Sequence, residues 1–230
     1  MPFRKKTMKN TNNKPKAIIF DNEQVLVDSD WERVARAAQS IGYPALKPEE
    51  LVVSFRLYTD APDNPLYQYA RGELSATDFW SRVLKHHKMQ PTPKNIKAMQ
   101  AALEMLITDV DPDALDVAQK LKAEGYRVFI LSNTNPDILR GNRERYNYMD
   151  FFDGSYFSCE IGHRKPEPNA YQRILQDHGL SPEDCLFIDD QERNLTAAAA
   201  LGIRTLQHKI GDAVPLSKKL AYLLESSPAK

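Results

Sequence analysis

Cysteine is nearly absent: the 230 residues hold two, Cys159 and Cys185. Two thiols make no disulfide framework, and their spacing matches no metal-ligand pattern. Both fall in apolar runs and read as core residues, a common place for free cysteine. Charge of one sign is missing too, since 31 Lys+Arg balance 31 Asp+Glu. That balance sets up no global field toward nucleic acid or an anionic membrane. No stretch approaches about 18 consecutive apolar residues, so no transmembrane helix is expected. No basic-then-apolar signal segment opens the chain, which favours the cytoplasm. Internal repeats are not evident.

What is present suits a globular chain with a substantial core: 42% hydrophobic and 27% charged residues. The first fifteen residues are polar and basic (Arg4, Lys5, Lys6, Lys9, Lys14) and read as a disordered tail. Four apolar runs follow at wide intervals, Ala17–Phe20, Arg127–Leu131, Ser155–Cys159 and Cys185–Ile188. Short runs of this kind, alternating with helical stretches, read as parallel strands buried on both faces. Between the first and second runs lies a long segment without a convincing strand. It reads as helices near Ser29–Ile41, over Pro48–Leu57, from Ser75 through Leu84, and over Ile96–Ile107, with a loop at Thr59–Pro65. After Asp111–Pro112 the pattern is strict β–α alternation, with helices over 112–124, 135–143, 166–178, 191–201 and 215–225. Strands are expected over 126–131, 155–159, 185–189 and 203–207. The fold class expected is therefore α/β, a doubly wound parallel sheet with an inserted helical cap. The division expected is a tail over 1–15, a Rossmann-like core from 16–26 and 108–230, and a cap over 27–107.

Ligands bind such sheets in the crevice outside the carboxyl ends of the strands. The four runs deliver Asp21, Ser132, Lys165 (six residues past the third run) and the pair Asp189–Asp190 to that edge. A carboxylate nucleophile toward an anionic phosphate needs its charge offset. Two or three carboxylates crowded together are costly unless a cation joins them, and a hard oxygen ligand set favours Mg²⁺. Lys165 would neutralise charge on transferring oxygens, and the Ser132 hydroxyl would donate to one. Singly, each residue also reads as a helix cap or a loop residue. Together, in this order, they point to phosphoryl transfer.

The segments Ile18-Ile19-Phe20-Asp21, Leu131-Ser132-Asn133-Thr134-Asn135, Gly162-His163-Arg164-Lys165-Pro166-Glu167-Pro168 and Phe187-Ile188-Asp189-Asp190-Gln191-Glu192-Arg193-Asn194 carry a resemblance. The chain is similar, over residues 16–210, to the haloacid dehalogenase-like superfamily, in the branch with a helical cap after the first motif. Val25–Asp28, Arg71–Ser75 and Leu131–Asn135 resemble bacterial phosphatases of sugar phosphates such as glucose 1-phosphate. The resemblance implies Asp21 as nucleophile and Mg²⁺ ligand, the Glu23 backbone carbonyl as second ligand, and Asp190 as a direct ligand, with Asp189 direct or through water. It implies Ser132, Asn133 and Lys165 as phosphoryl holders and Asn194 as support for the metal-side loop. The implied partner is a small phosphorylated metabolite, with no nucleic acid or membrane, acting as a monomer or homodimer.

One departure stands out. Family phosphatases carry Asp-then-Gly two and three residues after the nucleophile, and here the run is Asp21-Asn22-Glu23-Gln24. Glu23 keeps a carboxylate for acid–base work but adds a methylene. It stands open as a working acid/base, a weak substitute or a bystander. Tyr58, Tyr67, Tyr69 and Arg71 are cap candidates for the leaving group, Arg71 for a hydroxyl or phosphate oxygen, against the alternative that the aromatics pack the cap. His86–His87 are expected to end the third cap helix, and His163 and His208 have no identifiable partner ligand. Alternatives to a phosphatase are a regulatory binding protein that has lost turnover, a phosphomutase, and a 2-haloacid dehalogenase.

Overall fold

The computed structural model describes residues 14–42 and 64–225. The expected helix at 48–57, Tyr58 and nearly all of the loop at 59–65 fall outside them, as does the basic tail up to residue 13.

A five-stranded parallel sheet organises the described residues. Its strands are β1 (Ala17–Phe20), β4 (Arg127–Ser132), β5 (Gly154–Phe157), β6 (Cys185–Asp189) and β7 (Arg204–Gln207), in spatial order β5-β4-β1-β6-β7. The first strand is thus central, with β4 and β6 beside it. Its four residues are all fully buried, which a strand covered on both faces requires. Ala17 pairs with Arg127 and with Cys185, and Phe20 with Ile130 and with Ile188. The register therefore sets Asp21 level with Asp189, and the Asp21 N–H donates to the Ile188 carbonyl at 2.8 Å.

Alternation along the strands separates two apolar layers. Ile18, Phe20, Val128, Ile130, Leu186 and Ile188 face one side; Ala17, Ile19, Phe129, Leu131, Cys185 and Phe187 face the other. On the first side pack α5 (Pro112–Ala123) and α10 (Leu216–Glu225); on the second pack α8 (Pro168–His178) and α9 (Glu192–Ala200). A doubly wound α/β sheet is what the β–α alternation implies, and it is what forms.

The segment between β1 and β4 departs from expectation in one respect. It is not purely helical: β2 (Val27–Ser29) and β3 (Ile107–Val110) pair antiparallel where the chain leaves and re-enters the core. The β-branched residues of Ile107-Thr108-Asp109-Val110 suit a strand. The periodicity that would carry helix α4 (Pro93–Glu104) to Ile107 ends instead at its cap, Met105. The other helices here are α1 (Trp31–Ser40), α2 (Pro65–Ala70) and α3 (Ala76–His86). Their starts are capped by side chains: Asp30 accepts from the Arg33 N–H, and Ser75 from the Asp78 N–H while its hydroxyl donates to the Asp78 carboxylate. Val34, Phe79, Trp80, Val83 and Met99 of these helices belong to the same apolar cluster as the first face of the sheet.

That cluster is fastened to α6 (Pro136–Arg145). Asp137, fully buried, accepts from Tyr69 Oη (2.6 Å), Trp80 Nε1 (3.0 Å), Gln100 Nε2 (3.2 Å) and Arg140 (2.9 Å). Gly141 lets α6 approach the end of α4: a Cβ at Gly141 would lie 2.0 Å from the Glu104 carbonyl oxygen. The run expected as a strand over 155–159 ends early, at Phe157, and turns into α7 (Ser158–Ile161). Cys159 therefore sits half-buried on that turn rather than in a strand, whereas Cys185 is fully buried in β6.

Candidate active site

The end of β1 delivers Asp21, and the end of β6 delivers Asp189 and Asp190. Carboxylate oxygens of all three lie within 4.8 Å of one another. Lys165 arrives from the loop after α7, and its side chain is almost completely buried. Its Nζ stands 2.7 Å from Asp21 Oδ1 and 2.7 Å from Asp189 Oδ2, bridging the two strand ends. Asn133 holds that loop in register from β4: its Oδ1 accepts from the Lys165 N–H (2.7 Å) and its Nδ2 donates to the Lys165 carbonyl (2.8 Å).

Further donors fix the carboxylates. The Asn22 N–H donates to Asp21 Oδ1 at 2.6 Å. The Gln191 N–H donates to Asp189 Oδ1 at 2.8 Å, and Asn194 Nδ2 reaches both Asp189 oxygens at 3.0 and 3.1 Å. Asp189 is thus saturated by donors. Asp190 is the contrary case, because its Oδ1 is buried without a hydrogen-bond partner. A buried, unpartnered carboxylate oxygen is costly unless a cation completes it. Together with Asp21 it forms a hard oxygen set suited to a divalent ion such as Mg²⁺, so the residues present fit that metal.

Electrostatics follow from the burial. Desolvation pushes the Asp21 carboxyl well above its ordinary range, opposed by the Lys165 charge and reinforced by Asp189. Burial works to lower the Lys165 pKa, but the two carboxylates outweigh it and leave it raised. Asp190 is raised by burial and then by Asp189. Glu23 is raised by burial, against hydrogen bonds from Ser29 and Trp31. Its Oε1 accepts from Trp31 Nε1 at 3.2 Å, so the first residue of α1 orients it. Gln24, at φ 66°, occupies the left-handed region that glycine adopts more readily. Its N–H donates to the Val27 carbonyl, and its own carbonyl accepts from the Ile210 N–H.

A cavity of about 230 Å³ opens on these groups, lined by Asp21, Glu23, Trp31, Asn133, Lys165 and Asp190 among others. A second, of about 190 Å³, shares Glu23, Trp31 and Asn133 with it and extends to Tyr67, Arg164 and Arg193. A larger hollow of about 410 Å³ between Pro136 and Cys159 holds none of the convergent carboxylates, so size does not mark the reacting centre here.

The sequence-derived residues divide accordingly. Asp21, Glu23, Asn133, Lys165 and Asp190 line the first cavity. Asp189 is buried behind them, held by Lys165 and Asn194. Ser132 is buried at the end of β4 and lines neither cavity. Arg71 lines neither cavity; it pairs with Glu73 at 2.6 Å and Glu167 at 3.4 Å. Tyr69 does not face the leaving-group space, because Asp137 holds its hydroxyl in the apolar cluster. His163 and His208 lie 3.9 and 3.5 Å from Glu167 and Asp212. Sequence reasoning missed Trp31, Arg164 and Arg193 as cavity residues. Arg164 and Arg193 lay inside quoted segments, and only their adjacency to Lys165 and to the Asp189–Asp190 pair could have marked them.

A parallel α/β sheet with this carboxylate–lysine edge defines a class of hydrolytic enzyme, and the sequence agrees: residues 15–202 match the haloacid dehalogenase-like hydrolase family, to which the chain belongs. Among its relatives, a D-ribitol-5-phosphate phosphatase of Bacteroides thetaiotaomicron is 28% identical over 202 residues, covering 85% of this chain and 93% of that protein. A (S)-2-haloacid dehalogenase of Burkholderia cepacia is 25% identical over 200 residues, covering 84% and 82%. A crystal structure of a family enzyme from Bacteroides thetaiotaomicron, in complex with magnesium and inorganic phosphate, superposes with a TM-score of 0.70 at 27% identity, covering 86% of this chain and 96% of that one. No helix of the described residues is long and apolar enough to cross a membrane.

Proposed function

We propose that the protein hydrolyses small phosphate monoesters, sugar or polyol phosphates foremost, through a phospho-aspartate on Asp21. The observation that carries this reading is the Lys165 ammonium held between Asp21 and Asp189, with the unpartnered Asp190 oxygen beside them. A haloacid carries one negative charge and does not call for a divalent ion beside the lysine. A phosphate monoester carries two, and gathers more at its transferring oxygens. The ribitol-phosphate phosphatase among the relatives, and the magnesium and phosphate bound in the similar structure, support the same substrate class.

In this mechanism Asp21 attacks phosphorus, and the bond to the ester oxygen breaks. Glu23, oriented by Trp31 Nε1, gives that oxygen its proton. Glu23 then accepts a proton from the water that attacks the phospho-aspartate, releasing phosphate and restoring Asp21. Lys165 offsets charge on the phosphoryl oxygens and keeps Asp21 aimed, while Asn133 keeps Lys165 in place. Asp21, Asp190 and the Glu23 backbone carbonyl would hold Mg²⁺, which supplies electrostatic stabilisation of the transferring phosphoryl group. The helical segment from α1 to α4 acts as the cap over this edge.

Phosphate release from a panel of sugar and polyol phosphates tests the reading. It is expected to stop with EDTA, return with Mg²⁺, and vanish in Asp21→Asn. Undiminished hydrolysis in that variant refutes the nucleophile. Chloride release from 2-chloropropionate without metal would instead establish dehalogenation.

A further inference from the structure

An arginine with a buried nitrogen that no hydrogen bond meets lines the second cavity. Arg164 stacks on Tyr67, its guanidinium carbon 3.8 Å from the ring centroid. Its Nε is buried without a hydrogen-bond partner. Among the described residues no carboxylate lies within ion-pair distance of its side chain. The nearest candidate, Glu167, is committed elsewhere: it pairs with Arg71 and accepts from the Arg164 backbone N–H at 3.2 Å. Glu23, the acidic residue lining the same cavity, is engaged by Trp31 Nε1.

A second cation, Arg193, lines this cavity too, its Nε donating to the Gln191 side chain at 3.0 Å. Burial lowers the Arg164 pKa, opposed by Tyr67 and Glu167 and reinforced by the Arg193 and Arg71 charges. An aromatic face orients an arginine without neutralising it. A half-buried arginine of this kind, with a donor unspent, suits an anion that can accept two hydrogen bonds. The cavity adjoins the Asp21 cavity through Glu23, Trp31 and Asn133, where the alcohol part of a substrate would lie.

We propose that Arg164, assisted by Arg193, forms an anion subsite that selects phosphate monoesters whose leaving group carries a second negative group, a carboxylate or a second phosphate. This rests on the phosphatase reading and sharpens it. A neutral sugar or polyol phosphate would leave the Arg164 donors unmet, and the doubly anionic substrate would satisfy them. Arg164 is thus a specificity residue, remote from the bond that breaks.

Two matched pairs of probes test it: 6-phosphogluconate against glucitol 6-phosphate, and fructose 1,6-bisphosphate against fructose 6-phosphate. In one pair kcat/KM is expected to favour the doubly anionic member roughly 10- to 100-fold, the worth of a hydrogen bond to a charged group. The pair that shows it identifies the second anion as carboxylate or phosphate. Arg164→Gln should erase most of that preference, read as the ratio of kcat/KM between the two members of the pair. Arg193→Gln, at an exposed position, should reduce it by less and serves if Arg164→Gln fails to fold. The same pairs are titrated by calorimetry into Asp21→Asn with Mg²⁺, where binding is read without turnover. If no probe is hydrolysed but the preference appears in binding, the phosphatase reading fails and the subsite stands. Equal treatment of both members of both pairs, in turnover and in binding, overturns the subsite.

Discussion

Asp137→Ala should be among the most damaging single changes outside the reacting centre. The Asp137 carboxylate is fully buried and collects donors from α2, α3, α4 and α6. Two of them count most, Tyr69 Oη and Trp80 Nε1, since both residues are completely buried and neither polar atom can turn to water. Arg140 is 43% exposed and also pairs with Glu104, so its loss is largely screened. Gln100 is part-buried and can rehydrate. Orphaning a buried donor costs about 1–3 kcal/mol, so the pair sets an expected loss of about 2–6 kcal/mol. In a chain of this size each kcal/mol moves Tm by about 2–4 °C. Urea unfolding, followed by tryptophan fluorescence, measures the loss as a fall in midpoint at constant slope. Tyr69→Phe, which removes donor and demand together, should cost less than Asp137→Ala, and Asp137→Asn should fall between. A loss under about 1 kcal/mol for Asp137→Ala would refute the claim that this carboxylate ties the helical segment to α6.

Gly141→Val should destabilise strongly, because even a Cβ would meet the Glu104 carbonyl at 2.0 Å; thermal melting reads the change, and a wild-type Tm would show that α4 and α6 can separate freely. Glu23→Gln should lower kcat by about 10²–10⁴-fold toward poor leaving groups and abolish the alkaline limb of the pH profile, as expected for a general acid whose carboxyl burial shifts upward. An unchanged limb would make Glu23 a bystander. The lowered histidines should cost stability as pH falls below neutrality, while the raised Asp21, Glu23 and Asp190 act the other way. His178 is lowered by burial and then by Arg127, and His208 by burial and then by Lys219. Their stabilisation is complete above the usual histidine value of 6.5 and is lost as pH falls through the lowered folded values. His178→Gln should flatten the dependence of the urea midpoint between pH 7 and 5, and an equal slope in that variant would assign it elsewhere.

Much of the architecture was legible in one dimension because its signals are local. Ala17–Phe20 and Cys185–Ile188 read as buried strand segments because both faces of a parallel sheet are covered, so every position is apolar. Asp111 and Ser75 announced helix starts through capping chemistry that acts within three residues. The β2–β3 pair was illegible for the opposite reason. Val27–Ser29 is three residues long and gains strand geometry only from a partner nearly eighty positions away.

Residue type and strand-end position were enough to nominate Asp21, Lys165, Asp189 and Asp190, since phosphoryl chemistry draws on few side chains and a parallel sheet presents them at one edge. Their different surroundings exist only in three dimensions. Asp189 is saturated by Lys165, Gln191 and Asn194, while Asp190 retains a buried oxygen with no donor. Arg71 pairs with Glu73 and Glu167, whereas Tyr67 stacks on Arg164 without neutralising it. Periodicity and caps report a residue's dealings with its own neighbours along the chain. Whether a charge is met or left waiting depends on groups brought from distant segments, and that balance exists only once they have packed.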